Sequence, residues 1–489
     1  MNESVELHDV QGIIIKGYDK LKAATFLLLE ITDTQKTKQW IAAQLPSITH
    51  AKTSTQTLDS AIQIAFTYAG VTKLNVPAEG LLTFPPEFIE GMVTEHRSRM
   101  LGDLDDSAPD KWTWGGTEKD FSSIHLLLMI YATDDNLLQH LLAEQKAALE
   151  TADLKIVYQL DTSKLPNEKE HFGFRDGIAQ PIMRGINHTS DNDANMINPG
   201  EFIFGYQNEY EKYMFSPTIK PEHDPSNILP ADMNNAALKD LGRNGSMLVF
   251  RQLEQNVKAF WDMADKAAKE QSVAQDSIVT AEHIASKMLG RWPNGSPLTK
   301  CPMHPDDSKE TFDNFGYAKN DYDGLKCPIG SHIRRANPRD NFLRDSTGDK
   351  EKDIEKSMMF MKRFRILRRG RSYGAPLVES MDPKDIIQAA EDNKERGLYF
   401  LCFNSNIGRQ FELIQQTWIN NPKFAGLYED PDPMIGYPGI MGDGATTTFT
   451  EQAFPVRKQV KGITRFVNVK GGAYFFMPGL NALKYISSI

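Results

Sequence analysis

At 489 residues the chain is long enough for about two or three domains, and 40% hydrophobic with 25% charged residues is an ordinary globular composition. A formal net charge of −10 argues against non-specific binding to nucleic acid or an anionic membrane. The longest apolar run, near residues 126–132, is far short of the roughly 20 residues a membrane helix needs. The acidic start lacks a basic-then-apolar leader pattern, and Cys301, Cys327 and Cys402 do not make a secreted disulfide framework. The expected location is therefore cytoplasmic.

In chain order, residues 24–31 predict a buried strand, 34–45 a helix and 61–67 a second strand. Residues 122–132 predict an apolar strand. A helix over 134–151 carries Leu137, Leu138, Leu141 and Leu142 on one stripe, and 154–160 returns as a strand. Residues 187–235, rich in Asn, Asp, Pro and Gly, read as loop. Strand 247–252 and helix 254–269 follow. Residues 358–369 predict a strand with a heavy charge load, 397–404 a central strand apolar on both faces, 407–419 a helix and 472–477 a late strand. The second half repeats the plan of the first, which predicts two similar α+β units.

Three segments carry chemistry. The first is His171-Phe-Gly-Phe-Arg-Asp-Gly-Ile-Ala-Gln-Pro181, where Gly173 and Gly177 bracket Asp176 and permit sharp turns. Alone, it reads equally as a turn in which Asp176 bonds neighbouring amides. The second is Cys327-Pro-Ile-Gly-Ser-His332-Ile-Arg-Arg-Ala-Asn-Pro-Arg339. Residue chemistry leaves His332 open between a metal ligand and a loop histidine in a solvated basic patch. The third is Arg365-Ile-Leu-Arg368-Arg-Gly-Arg-Ser-Tyr-Gly374. In a strand, Phe360, Phe364, Ile366 and Arg368 would share an apolar face, leaving Arg363, Arg365 and Arg369 toward solvent or an interface.

Together and in this order, the three segments resemble the dye-decolourising peroxidases, a family of haem enzymes. The resemblance implies an α+β fold: two ferredoxin-like domains with antiparallel sheets packed together and haem in the C-terminal one. The units would be residues 1–186, carrying the Gly-Phe-Arg-Asp-Gly motif, and 187–489, with long loops. It implies one non-covalent haem b per chain, since no Cys-x-x-Cys-His attachment motif occurs. His332 would be the proximal iron ligand. Asp176 would take a proton from hydrogen peroxide and return it to the departing oxygen, and Arg368 would stabilise the negative charge that develops.

The same resemblance assigns Gly173, Phe174, Gly177, Arg334, Arg339, Leu401 and Phe403 to cofactor binding, and Glu412 to the other nitrogen of the proximal imidazole. Cys327 and Cys301 compete as thiolate ligands but read better as structural. The implied function is reduction of hydrogen peroxide with oxidation of dyes, phenolics or other one-electron donors, small or bulky. Since a carboxylate is already a base in mild acid, the expected optimum is acidic. Nucleic acid and membrane are not expected partners, and a homo-oligomer is left open. The alternative is a protein that binds, delivers or strips haem, with incidental peroxidase activity. Ser372, where the family commonly has proline, is a visible departure.

Overall fold

The computed structural model describes residues 4–54, 58–186, 195–275, 278–306, 313, 315–437 and 446–489. Strand β1 (Ala23–Ile31) is buried at almost every position because both its faces are covered. Helix α1 (Thr34–Gln44) begins where the Asp33 carboxylate accepts the Lys36 N–H at 3.0 Å, satisfying an amide the helix itself cannot pair. Strands β2 (Ser60–Phe66) and β3 (Leu126–Ala132) follow. Helix α2 (Asp135–Thr151) is capped in the same way by Asp134, and β4 (Leu154–Asp161) ends the first group.

The second group comprises β5 (Ser246–Gln255), α3 (Val257–Gln275), α4 (Ala281–Leu289), α5 (His332–Ala336), α6 (Lys350–Lys362), the short strands β6 (Leu367–Arg368) and β7 (Arg371–Tyr373), β8 (Gly397–Asn404) and β9 (Val467–Met477). Between β8 and β9 the chain winds as a π-helix over Gly408–Glu412 and Ile414–Ile419.

Sheet order is β2-β3-β1-β4 in the first group. In the second it is β6/β7-β8-β5-β9, and all these pairings are antiparallel. Both groups thus place their second strand outermost, then third, first and fourth, which is the ferredoxin-like order. They join where Phe476 of β9 pairs with Phe66 of β2.

Strand alternation then decides what faces what. Phe26, Leu28, Met129 and Tyr131 of the first group share a core with Leu248, Phe250, Leu401 and Phe403 of the second. The other face of the first sheet, including Leu27, Leu29 and Leu128, packs under Ile41 of α1 and Leu138 and Leu142 of α2. On the second sheet, Leu253, Leu398, Phe400 and Val467 face a cavity instead.

The charge-laden segment departs from expectation. Residues up to Lys362 are helical, and only Leu367 and Arg368 extend as strand. The Asp349 carboxylate caps α6 by accepting from Glu351 and Lys352, and the Lys, Glu and Met side chains that follow suit a helix. Likewise the strand expected from residue 122 starts at Leu126, because Thr117 caps a short helix over Glu118–Ser123. Of the loop expected over 187–235, residues 187–194 lie outside the described residues. The remainder holds turns and the two-residue strands Met196–Ile197 and Thr218–Ile219. Among the described residues no helix is long and apolar enough to cross a membrane.

Candidate active site

A cavity of about 370 Å³ lies on the outer face of the second sheet, and Asp176, His332 and Arg368 all line it. His332 is the first residue of α5. The Ser331 hydroxyl, which donates to the Lys287 carbonyl at 2.6 Å, anchors the start of that helix. The Asp432 carboxylate lies 3.0 Å from Nδ1 of His332. Burial alone would raise the Asp432 carboxyl, but neighbouring His332, the hydrogen bond to it and Arg335 together hold it below its usual value. An ionised carboxylate can only accept, so Nδ1 carries the hydrogen toward Asp432, and Nε2 is the ring nitrogen turned to other partners.

Asp432 cannot rotate away from His332. Its Oδ1 accepts the amides of Met434 and Ile435 at 2.9 and 3.0 Å, while Oδ2 faces the imidazole. Arg335, fully buried one turn along α5, donates to the carbonyls of Trp418, Asp430 and Asn421, tying that helix to the loop that carries Asp432. Sequence reasoning missed Asp432 and the bracing role of Arg335. An Arg beside the histidine motif and an Asp-Pro-Asp run at 430–432 were the only signals, and neither announces its partner.

Glu412 is not that carboxylate. It is buried against Arg97, whose Nη1 lies 2.8 Å from both of its oxygens, and the Tyr474 hydroxyl donates to it at 2.7 Å. The π-helix turns it toward the segment carrying Arg97 and away from α5.

The Asp176 loop is held by its backbone. Asp176 N–H donates to Glu168 O at 3.0 Å, Gly173 N–H to Glu170 O at 2.8 Å and Arg175 N–H to Pro293 O at 3.0 Å. Both bracketing glycines have left-handed φ, +90° at Gly173 and +77° at Gly177. A Cβ on Gly173 would also come 3.0 Å from the Met381 carbonyl. Phe174 and Gly177 line the cavity, whereas Gly173 shapes the loop behind it. Arg368 Nη1 stands 3.9 Å from Asp176 Oδ1, with the side chains 35% and 45% exposed, so the pair is open to an incoming molecule.

Three further expectations are corrected. Leu401 and Phe403 point into the core between the sheets, and Leu398 and Phe400 line the cavity; the parity of β8 is shifted by one residue. Arg334 turns away from the cavity, donating to Asp321 and the Cys327 and Tyr322 carbonyls, whereas Arg339 lines it. Arg365 and Arg369 do not face solvent. Both line the cavity, and burial pushes each guanidinium down to about 10. Phe364 and Ile366 do share the cavity wall with Arg368, but Phe360 belongs to α6.

This donor set fits a haem. Among the described residues six arginines (175, 291, 339, 365, 368 and 369) and two carboxylates (Glu170 and Asp176) line the cavity, an excess of positive charge suited to two propionates. Phe174, Leu253, Leu289, Ile333, Phe400, Ile414 and Val467 give apolar walls for a macrocycle. Nε2 of His332 would be the ligand atom for the iron. The cysteines do not compete. Cys327 is buried outside the cavity, where burial pushes its thiol up to about 11, and Cys301 also lies outside it. Elsewhere Glu79, Glu222 and His223 cluster at the surface, but Lys220 lies 3.7 Å from Glu79 and 3.8 Å from Glu222, so that cluster already has its cation.

Residues 9–166 match the family model described as the DyP dimeric alpha+beta barrel domain. A multifunctional dye peroxidase of an Amycolatopsis species is 30% identical over 354 residues, covering 70% of this chain and 67% of that protein. Peroxidase 2 of Mycetinis scorodonius is 28% identical over 99% of this chain and 88% of its own length. Among solved structures, a DyP-type peroxidase of an Anabaena species superposes with a TM-score of 0.74 at 26% identity, covering 98% of this chain and 94% of that one.

The chain is therefore an α+β oxidoreductase of the haem-peroxidase class. It belongs to the dye-decolourising peroxidase family. The haem-delivery alternative finds no support among these relatives.

Proposed function

We propose that the chain reduces hydrogen peroxide and oxidises dyes, phenolics or similar one-electron donors, with His332 as the haem ligand and Asp176 and Arg368 as the groups that handle peroxide. The observation that carries this reading is that His332, with Nδ1 engaged by Asp432, lines the same cavity as the open Asp176–Arg368 pair. One non-covalent haem b would supply the redox chemistry there, taking two electrons from two donor molecules to reduce one peroxide to two waters.

The protein groups have separable tasks. Asp432 keeps the hydrogen on Nδ1 of His332 and enriches Nε2 in electron density. Arg291, Arg339 and Arg365 form a cationic wall for the propionates, in place of the Arg334 expected from sequence. Asp176 accepts one peroxide proton and passes it to the oxygen that leaves as water. Arg368 donates hydrogen bonds to negative charge as the O–O bond lengthens. We further read the domain boundary near residue 186 and the location as cytoplasmic, which the three free cysteines suit.

The test is the absorption spectrum of haem-loaded protein before and after stoichiometric peroxide, with His332→Ala alongside. A histidine-type Soret band that changes with peroxide and is disrupted in the variant supports the reading. A thiolate-type spectrum, or a variant indistinguishable from the parent, overturns the ligand assignment.

A further inference from the structure

Asp176 and Arg368 meet across 3.9 Å, longer than a hydrogen bond, and both side chains are partly exposed. An open contact of that kind contributes little to holding two segments together. Arg368 lies on β6, at the edge of the sheet. The inward bond of that edge comes from Arg369, whose N–H donates to Leu401 O at 2.8 Å. Among the described residues the Arg368 N–H has no neighbouring strand on its own side and needs an acceptor from elsewhere.

Gln180, 188 residues earlier in the chain and at the end of the Asp176 loop, supplies that acceptor. Its Oε1 takes the Arg368 N–H at 3.2 Å. At the other end of the loop, His171 Nε2 lies 2.8 Å from the Tyr373 carbonyl at the end of β7. A carbonyl only accepts, so Nε2 is the donor. Burial pushes the imidazole down to about 4, so it stays neutral in this role through mild acid. The loop from 171 to 180 is therefore laced at both ends to the interrupted edge strand, with Asp176 between the laces and Arg368 under one of them.

We propose that Gln180 and His171 are positioning residues that set the gap between Asp176 and Arg368. Gln180 acts through Arg368 itself, and His171 sets the register of the whole loop. This inference rests on the proposed roles of Asp176 and Arg368.

Two readouts on the haem-loaded full chain test it: hydrogen exchange of the peptide containing the Arg368 amide, and the stopped-flow rate of reaction with hydrogen peroxide. In Gln180→Leu the amide should exchange faster and the rate should fall roughly tenfold or more, as expected when reacting groups are misplaced by a fraction of an ångström to one ångström. Because Gln180 also lines the cavity, the control is that the Soret band keeps its histidine-type form. Adding Gln180→Leu to Arg368→Leu should cost nothing further, since the two act as one unit. His171→Phe should slow the reaction in the same direction. Gln180→Asn, which keeps the amide but shortens its reach, serves if the Leu variant does not fold.

Unchanged exchange, or faster exchange with an unchanged rate, overturns the inference while leaving the Asp176 and Arg368 roles intact. If Asp176→Asn and Arg368→Leu themselves leave the rate unchanged, the underlying reading fails and this inference fails with it.

Discussion

The His332 side and the Asp176 side of the cavity are built on opposite plans. At His332 the partner carboxylate is fully buried, both its oxygens are engaged, and a buried arginine binds the two supporting segments through carbonyls. At Asp176 the two charged side chains are partly in solvent and 3.9 Å apart, and rigidity comes from backbone bonds, from Gln180 in the cavity wall and from buried His171 behind the loop. The difference matches what each side would have to do in the roles proposed for it. A ligand has to hold one orientation against a metal, so its charges are locked. A proton carrier has to meet a small molecule arriving from water, so its side chain is left accessible and its support comes from backbone bonds and uncharged neighbours.

The sharpest break of this comparison is Asp176→Asn. Removing the proposed proton carrier should slow the reaction with hydrogen peroxide by roughly 10² to 10⁴-fold in stopped-flow mixing, with haem content and Soret band unchanged. Asp432→Asn should act the other way round. Haem affinity or turnover should fall by roughly 10 to 100-fold, with a shifted Soret band, because the imidazole loses its anionic support. If Asp176→Asn disturbs the spectrum and Asp432→Asn does not, the two sides have been assigned in reverse.

Glu412 offers a control on buried charge away from both. Glu412→Gln leaves Arg97 buried with only Glu90 for charge, and should lower stability by about 3 kcal/mol in urea titration. The Soret band of the loaded protein should stay in place. A Soret shift as large as that of Asp432→Asn would return Glu412 to the imidazole.

The smallest effect concerns pH. Burial, aided by Asp176 nearby, pushes the Glu170 carboxyl up to about 7, so the folded form holds its proton more tightly than the unfolded one. Stability from this residue is intact below pH 4.5 and declines as pH rises toward 7. His171, pushed down to about 4 by burial, has the opposite slope: its contribution is present above about 6.5 and is lost as pH falls toward 4. Melting temperature should therefore pass through a maximum between these limits. Glu170→Gln should flatten only the alkaline side, and a flattened acidic side would contradict the assignment.

Much of this was legible in the chain itself. Gly173 and Gly177 stand where the turn needs left-handed backbone, Asp176, His332 and Arg368 stand in the three segments that carry the family resemblance, and the strand and helix periodicities gave the repeated α+β plan. Three kinds of feature were not legible. The face of β8 that meets the cavity depends on a one-residue parity in a strand that is apolar throughout, so Leu401 and Phe403 could not be told from Leu398 and Phe400. Arg334 and Arg335 are adjacent and chemically alike, and only the short helix decides that both bind protein carbonyls rather than the cavity. Asp432 lies 100 residues from His332, and nothing local to either predicts the contact.

The sequence by itself determined the motifs that carry Asp176, His332 and Arg368 and the order of elements, because turn chemistry and hydrophobic period act over a few residues. Tertiary structure alone decided which carboxylate serves the imidazole, which arginines face the cavity and how the Asp176 loop is tied to the Arg368 strand. Those outcomes depend on burial and hydrogen-bond satisfaction between segments far apart in the chain, and only the packed sheets bring the segments together.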